Sequence, residues 1–292
     1  MKEFPIPVVA SGPGAYSEEE HLDYLPMPKD MATYRPPQLP EPEDIGGLEQ
    51  GGKALRAALD LLDHAANGGA SGQVSLLGLP PDDIRLVNQI LGEGEASAIV
   101  HIPGGLEIRV QESVFAGVWR LMSWRQEPGQ PPLLVDDAIE VGPVPTLFRT
   151  IAAEDVWPRS DWPTWQGALP PNVQSAPILV EELRDQTNRW RPGQPPHVVN
   201  LSLLPVSPED IGFLDHHLGT GRVLILSRGY GNCRISNSRL PNCWRVVYYN
   251  SMDKVILNTV EVVDMPEVAM AAPEDLRDSH ERLNDVLTYL GA

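Results

Sequence analysis

The side chains that could do chemistry gather in the C-terminal third of the chain. Arg228-Gly229-Tyr230-Gly231-Asn232-Cys233-Arg234-Ile235 and Asn250-Ser251-Met252-Asp253-Lys254 are polar, turn-forming runs, each set between two strand-like stretches. Gly229 and Gly231 would let a backbone approach a ligand closely, but the run lacks both the spacing and the following helix of a P-loop or a dinucleotide-binding fingerprint. A hairpin loop that needs positive φ accounts for the same glycines, and both readings stand at this point. Cys233 and Cys243, ten residues apart on either side of an expected hairpin, invite a metal test with His216 and His217 as further ligands. Adjacent histidines on a helix point about 100° apart and seldom serve one ion. We therefore expect no bound metal and two small core cysteines, with a catalytic Cys233 thiol as the other use of that residue. The serines lack a nucleophile-elbow context, the seven histidines lack the two-per-turn spacing of zinc enzymes, and Asp82-Asp83 and Asp136-Asp137 fall at a helix start and in a strand. No catalytic set emerges, so the expectation is a non-enzyme without a cofactor.

The elements that must carry these residues come in two sets. Asp83-Ile84, Leu91-Gly92 and Gly94 return as Asp210-Ile211, Leu218-Gly219 and Gly221, every one offset by 127 residues. Leu79-Pro80 answers Leu204-Pro205 and Trp119-Arg120 answers Trp244-Arg245 at 125, while Ile139-Glu140-Val141 with Pro145 matches Val260-Glu261-Val262 with Pro266 at 121. The drift means short insertions in loops. Leucines at helical spacing predict helices over 52–66 and 178–190, and Pro before and Gly after predict helices over 81–91 and 208–218. Buried strands are expected at 73–77 and 198–203. Runs rich in branched and aromatic residues predict strands at 96–102, 106–110, 118–124 and 133–141, and again at 222–227, 233–236, 244–250 and 255–263. The expected fold is α+β: two tandem repeats of an α-β-α unit followed by an antiparallel meander, related by a pseudo-twofold axis. Trp119 and Trp244 are expected core anchors, and a closing helix at 273–290 has no counterpart in the first repeat. Near the positions of Cys233 and Cys243 the first repeat has Leu106 and Val118, apolar counterparts that fit a core role.

Residues 1–50 hold nine prolines and ten acids against three bases, which predicts an extended arm able to order on a partner. The domain reading is an arm at 1–50, a first repeat at 51–152, a Trp- and Pro-rich linker at 153–177 carrying Trp157, Trp162 and Trp165, and a second repeat with its closing helix at 178–292. In a chain of 292 residues, 42% hydrophobic residues can supply a core for one large domain or two ordinary ones. A net charge of −18 argues against nucleic acid and against an anionic membrane. With no long apolar run for a membrane span or signal peptide, and two cysteines too few for a disulfide framework, the chain is expected to be cytoplasmic.

The second repeat resembles the HupH/HyaF/HoxQ family of nickel-iron hydrogenase maturation proteins. The resemblance rests on Arg228 to Ile235, on Tyr249-Asn250-Ser251-Met252-Asp253-Lys254, and on Ile256-Leu257-Asn258-Thr259-Val260-Glu261-Val262-Val263-Asp264-Met265-Pro266-Glu267-Val268, and it extends from about Gly52 to the C-terminus. Cys243 stands where the family pattern leads us to expect an apolar residue. The resemblance implies an accessory protein that acts on the iron-sulfur small subunit before membrane targeting. The expected role is a chaperone for the small-subunit precursor, with other maturation proteins as further partners. A cluster-repair or thiol-redox factor using Cys233, and an adaptor bridging other maturation proteins, remain alternatives. The expected client-binding residues are Arg228, Tyr230, Asn232, Arg234, Tyr249, Asn250, Asp253 and Lys254, because exposed Arg and Tyr are the usual anchors of protein interfaces.

Overall fold

In the computed structural model, which describes residues 49–229 and 231–291, one order of elements occurs twice. First come α1 (Glu49–Ala66), β1 (Gly72–Ser75), α2 (Pro81–Leu91), β2 (Ala96–Ile102), β3 (Leu106–Glu112), β4 (Val118–Arg125) and β5 (Leu133–Val141). After α3 (Thr146–Glu154) follow α4 (Ala176–Arg189), β6 (His197–Asn200), α5 (Pro208–Leu218), β7 (Leu224–Ser227), β8 (Asn232–Asn237), β9 (Cys243–Tyr249) and β10 (Val255–Val262). The last helix is α6 (Pro273–Leu290). The chain is thus mixed α and β, and each ladder whose register is described is antiparallel.

Two compact units form, and they do not follow the segments read from the sequence. The N-terminal unit takes residues 49–150 together with 223–229 and 267–291; the C-terminal unit takes 151–222 and 231–266. In the N-terminal unit the strand order is β1-β5-β4-β3-β2-β7, so β7 pairs with β2 from Ala96↔Ser227 to Ile99↔Leu224. In the C-terminal unit the order is β8-β9-β10-β6. Leu276, Leu283, Leu287 and Leu290 of α6 pack with Leu55, Ala58 and Leu62 of α1, Leu86 and Ile90 of α2, and Val118, Ile139 and Val141 of the sheet. The C-terminal unit has its own core, where Leu179, Leu183, Phe213 and Leu214 of α4 and α5 lie on Cys243, Val260 and Val262.

Each unit also holds a polar lock, buried at Arg120 and half-buried at Arg245. Arg120 donates Nε (2.5 Å) and Nη2 (2.6 Å) to the two oxygens of Asp137 and Nη1 to Asn88 Oδ1 at 2.8 Å. Arg245 donates Nε to Asn258 Oδ1 at 2.5 Å and Nη1 to Asp215 at 3.0 Å. Trp119 Nε1 donates to Gly142 O (3.1 Å) and Trp244 Nε1 to Asp264 O (3.2 Å), so both tryptophans are core residues with their one donor satisfied. Gly94 backs onto Ser113 O and Gly221 onto the Asn237 amide, each so closely that a Cβ would lie about 2 Å from the facing atom. Packing therefore demands glycine at both positions.

Two expectations about elements need correction. The strand expected over 198–203 ends at Asn200, because the Asn200 side chain accepts from Ser202 N (3.0 Å) and starts a 3-10 turn at Leu201–Leu203. The helix α3 was not anticipated. It follows Pro143 and Pro145, and its first free donor, Thr146 N, is satisfied from a distance by Glu140 Oε1 at 2.7 Å.

Candidate functional site

Strands β8, β9 and β10 of the C-terminal unit end together at a polar turn. Asn232 pairs with Tyr249 and Arg234 with Val247, so Asn232, Arg234 and Tyr249 share one face of the ladder. The Arg234 guanidinium lies 5.7 Å from the centre of the Tyr249 ring, a cation–π contact that holds two long side chains in one place. Beyond them the chain reverses. Asn250 Oδ1 accepts from Met252 N (2.9 Å) and Lys254 N (3.0 Å), and Asn250 N donates to Lys254 O at 2.9 Å. Asp253, at φ +56°, takes the left-handed conformation that Asn, Asp and Gly tolerate best. Asn250 is therefore the frame of the turn, whereas Asp253 and Lys254 project from it, exposed.

Six of the eight sequence candidates thus converge on this end: Asn232, Arg234, Tyr249, Asn250, Asp253 and Lys254. Arg228 is exposed in the N-terminal unit, where its backbone N donates to Glu95 O at 3.1 Å. Tyr230 and residues 1–48 of the arm expected over 1–50 lie outside the described residues, whereas Glu49 and Gln50 begin α1. Gly231 has φ +99°, which supports the hairpin account of that glycine.

Sequence reasoning missed the most exposed apolar side chains here. Met252 is 68% and Ile256 60% exposed, flanking Lys254 on the turn and at the irregularity between Val255 and Leu257 in β10. The signal was present, since a methionine inside Asn-Ser-Met-Asp-Lys has no structural task in a polar turn. A second exposed apolar group, Ile178, Val198, Leu203 and Leu204, comes from α4, β6 and the turn after it. Among the described residues β6 pairs with β10 alone, and its four-residue length is one of the ways proteins blunt an open edge.

The cysteines do not face each other. Cys233 pairs with Tyr248, and Tyr248 and Cys243 are an odd number of residues apart on β9, which sends the two thiols to opposite faces. Burial lifts the Cys233 thiol to about 12 against a hydrogen bond with Tyr248, and burial likewise lifts Cys243 to about 11. Neither forms a thiolate readily near neutrality. His217 is core: its Nδ1 lies 2.8 Å from Phe213 O, its ring stacks 4.0 Å from that of Phe213, and burial lowers its pKa. Among the described residues no three His, Cys, Asp or Glu side chains converge as a metal site. The tryptophans of the expected linker at 153–177 are engaged within the C-terminal unit. Trp157 lies under Arg239 (5.1 Å), Trp162 beside Arg184 (5.6 Å), and Trp165 edge-on to Phe213 (5.8 Å).

Residues 173–290 match the HupH hydrogenase expression protein, C-terminal conserved region. The hydrogenase expression/formation protein HoxQ of Cupriavidus necator is 51% identical over 292 residues, covering all of both chains. Hydrogenase expression/formation protein HupH of Rhodobacter capsulatus is 41% identical over 98% of each chain. The hydrogenase-1 operon protein HyaF of Escherichia coli K12 is 30% identical over 96% of this chain and 95% of its own. No described helix is long and apolar enough to cross a membrane.

Proposed function

Because the chain belongs to the HupH/HoxQ family of hydrogenase expression/formation proteins, we propose that it serves hydrogenase maturation as a cytoplasmic chaperone, without catalysis of its own, for the iron-sulfur small-subunit precursor. The observation that carries the reading is the end of the C-terminal unit, where Met252 and Ile256 stand exposed beside the Arg234–Tyr249 stack. Exposed apolar groups next to a pre-ordered Arg and Tyr form the usual core of a protein interface. Methionine adapts to irregular partners, which suits a client that is not yet in its final form. A thiol-redox role finds no support in two buried cysteines with raised pKa values. The adaptor role differs only in the partner, and the experiment below separates it.

We also read the two halves as copies of one ancestral unit. Supporting this are the common element order, the Arg120 and Arg245 locks, the Trp119 and Trp244 donors, and the glycines at 94 and 221. The pairing of β2 with β7 fits as well: Ala98 lies opposite Ile225, its equivalent at the 127-residue offset.

The test measures melting temperature and capture of the small-subunit precursor for Arg234→Ala, Tyr249→Ala and Met252→Asp. Each is expected to melt near the wild type and to weaken capture about tenfold, the effect of losing roughly 1.4 kcal/mol at a hot spot. Full capture by all three folded variants refutes the site. If Val198→Lys or Leu203→Asp abolishes capture instead, the client sits along β6. Loss of binding to other maturation proteins with the precursor still held supports the adaptor.

A further inference from the structure

The stacked Arg234 and Tyr249 of the C-terminal unit have counterparts in the N-terminal unit. Arg109 on β3 and Trp124 on β4 stand 125 residues before them, and the Arg109 guanidinium lies 5.9 Å from the centre of the Trp124 ring against 5.7 Å in the other pair. The next strand is irregular at the same place. Val135 is passed over between Leu134 and Asp136 in the ladder of β4 with β5, as Ile256 is between Val255 and Leu257 in that of β9 with β10. Bulges are common beside binding sites because they re-aim a side chain and end regular pairing. Leu133, at the end of the ladder and opposite Arg125, is 63% exposed. The chemistry of the two ends is alike but not identical. Glu107 stands where the C-terminal unit has Asn232, and it accepts from Arg109 Nε at 2.6 Å with His101 Nδ1 3.7 Å away. That acid answers the charge of Arg109. The exposed Arg125 makes no ion pair among the described residues, so it is the open cation beside Leu133, as Lys254 is between the exposed Met252 and Ile256. Trp124 Nε1 is shielded from solvent and has no acceptor among the described residues, a donor that an oxygen of a partner would satisfy.

We infer that this end of the N-terminal unit is a second docking surface for the same client, taking a separate stretch of it that sets a carboxylate on Arg125 and an apolar side chain against Leu133 and Trp124. The inference rests on the chaperone reading above. The same stack, the same bulge and the same pairing of an open cation with an exposed apolar group recognise the same chemistry, which is why one client occupies both ends. In a chain of net charge −18, an unpaired Arg also selects an acid-bearing segment over a basic one. The two surfaces lie in different units, so their contributions to capture are separable.

Capture of the small-subunit precursor by full-length variants tests this. Leu133→Asp and Arg125→Glu change exposed side chains and should melt near the wild type, and each is expected to weaken capture about tenfold. Leu133→Asp combined with Met252→Asp should weaken it about a hundredfold, because independent sites add in free energy. Arg125→Lys keeps the charge and should retain most of the capture; an equal loss in Arg125→Lys and Arg125→Glu refutes the carboxylate. Adding the precursor to the wild type should slow hydrogen exchange at residues 123–125 and 133–135. The inference is overturned if folded Leu133→Asp and Arg125→Glu hold the precursor at full strength while Met252→Asp does not, a result that leaves the chaperone reading standing. It is equally overturned if the two variants keep the precursor but lose another maturation protein or the association of this chain with a second copy. Full capture by Met252→Asp as well removes both surfaces together. Should Leu133→Asp not fold, undiminished capture by Arg125→Glu is the refuting result.

Discussion

Arg120 is 9% exposed, and its charge is met by Asp137 on β5 with Asn88 on α2 taking a third bond. At Arg245 the acid and the amide have traded places, for Asp215 lies on α5 and Asn258 on β10. A buried guanidinium needs one counter-charge and further acceptors, but it does not matter whether helix or strand supplies the acid. Asp137→Asn alone leaves Arg120 without a counter-ion, and we expect about 3–5 kcal/mol of lost stability, read as a lower urea midpoint. Adding Asn88→Asp rebuilds the arrangement found at Arg245 and should recover more than half of the loss. A double variant no more stable than Asp137→Asn would break the equivalence of the two locks. The repeated Trp-Arg pairs at 119 and 244 were legible in the sequence. Their partners were not, because an acid at one lock stands where the other has an amide, which leaves no shared residue type to recognise.

Helices bounded by their own residues were legible. Pro81 to Leu91, Pro208 to Leu218 and Pro273 to Leu290 start and stop where proline and glycine place them. The strands 96–102 and 133–141 likewise carry their bounds in composition. The missed helix α3 shows the opposite case. It is nine residues long, and the cap of its first turn is Glu140, six residues upstream on β5, held in turn by Gln73 Nε2 at 3.0 Å. A cap set by the sheet leaves no local signature. Glu140→Ala should cost about 1–2 kcal/mol, the range for a lost cap, and amides at the start of α3 should exchange faster while those of β2 and β3 hold. Unchanged exchange at 146–150 would mean that the packing of Phe148 and Ile151, not the cap, sets the helix. The candidate site divides in the same way: the polar turn 250–254 was readable from Asn and Asp, whereas the exposure of Ile256 depends on an irregular register in β10 that no local pattern reveals.

At the scale of the molecule, what the amphipathic pattern of α6 left open is the surface it covers. Leucines at 276, 283, 287 and 290 state that one face must be buried, and the nearest candidate along the chain is the half that precedes it. The structure sends α6 to the N-terminal unit instead, onto α1, while in the C-terminal unit the place beside α4 and α5 is taken by Trp162 and Trp165 from the segment that follows the first passage of elements. An apolar stripe specifies burial but not a partner, so contiguous domains are the natural expectation and an exchanged helix is invisible. The exchange has a measurable consequence. Four leucines at about 1.5–3 kcal/mol each are comparable with the whole stability of an ordinary domain. Removing residues 273–292 should therefore unfold the N-terminal unit first, although the deletion lies at the far end of the sequence. Hydrogen exchange on the shortened chain should find α1 and α2 unprotected before β9 and β10. If α1 keeps its protection, the core of the N-terminal unit stands without α6, and the helix is an appendage to it.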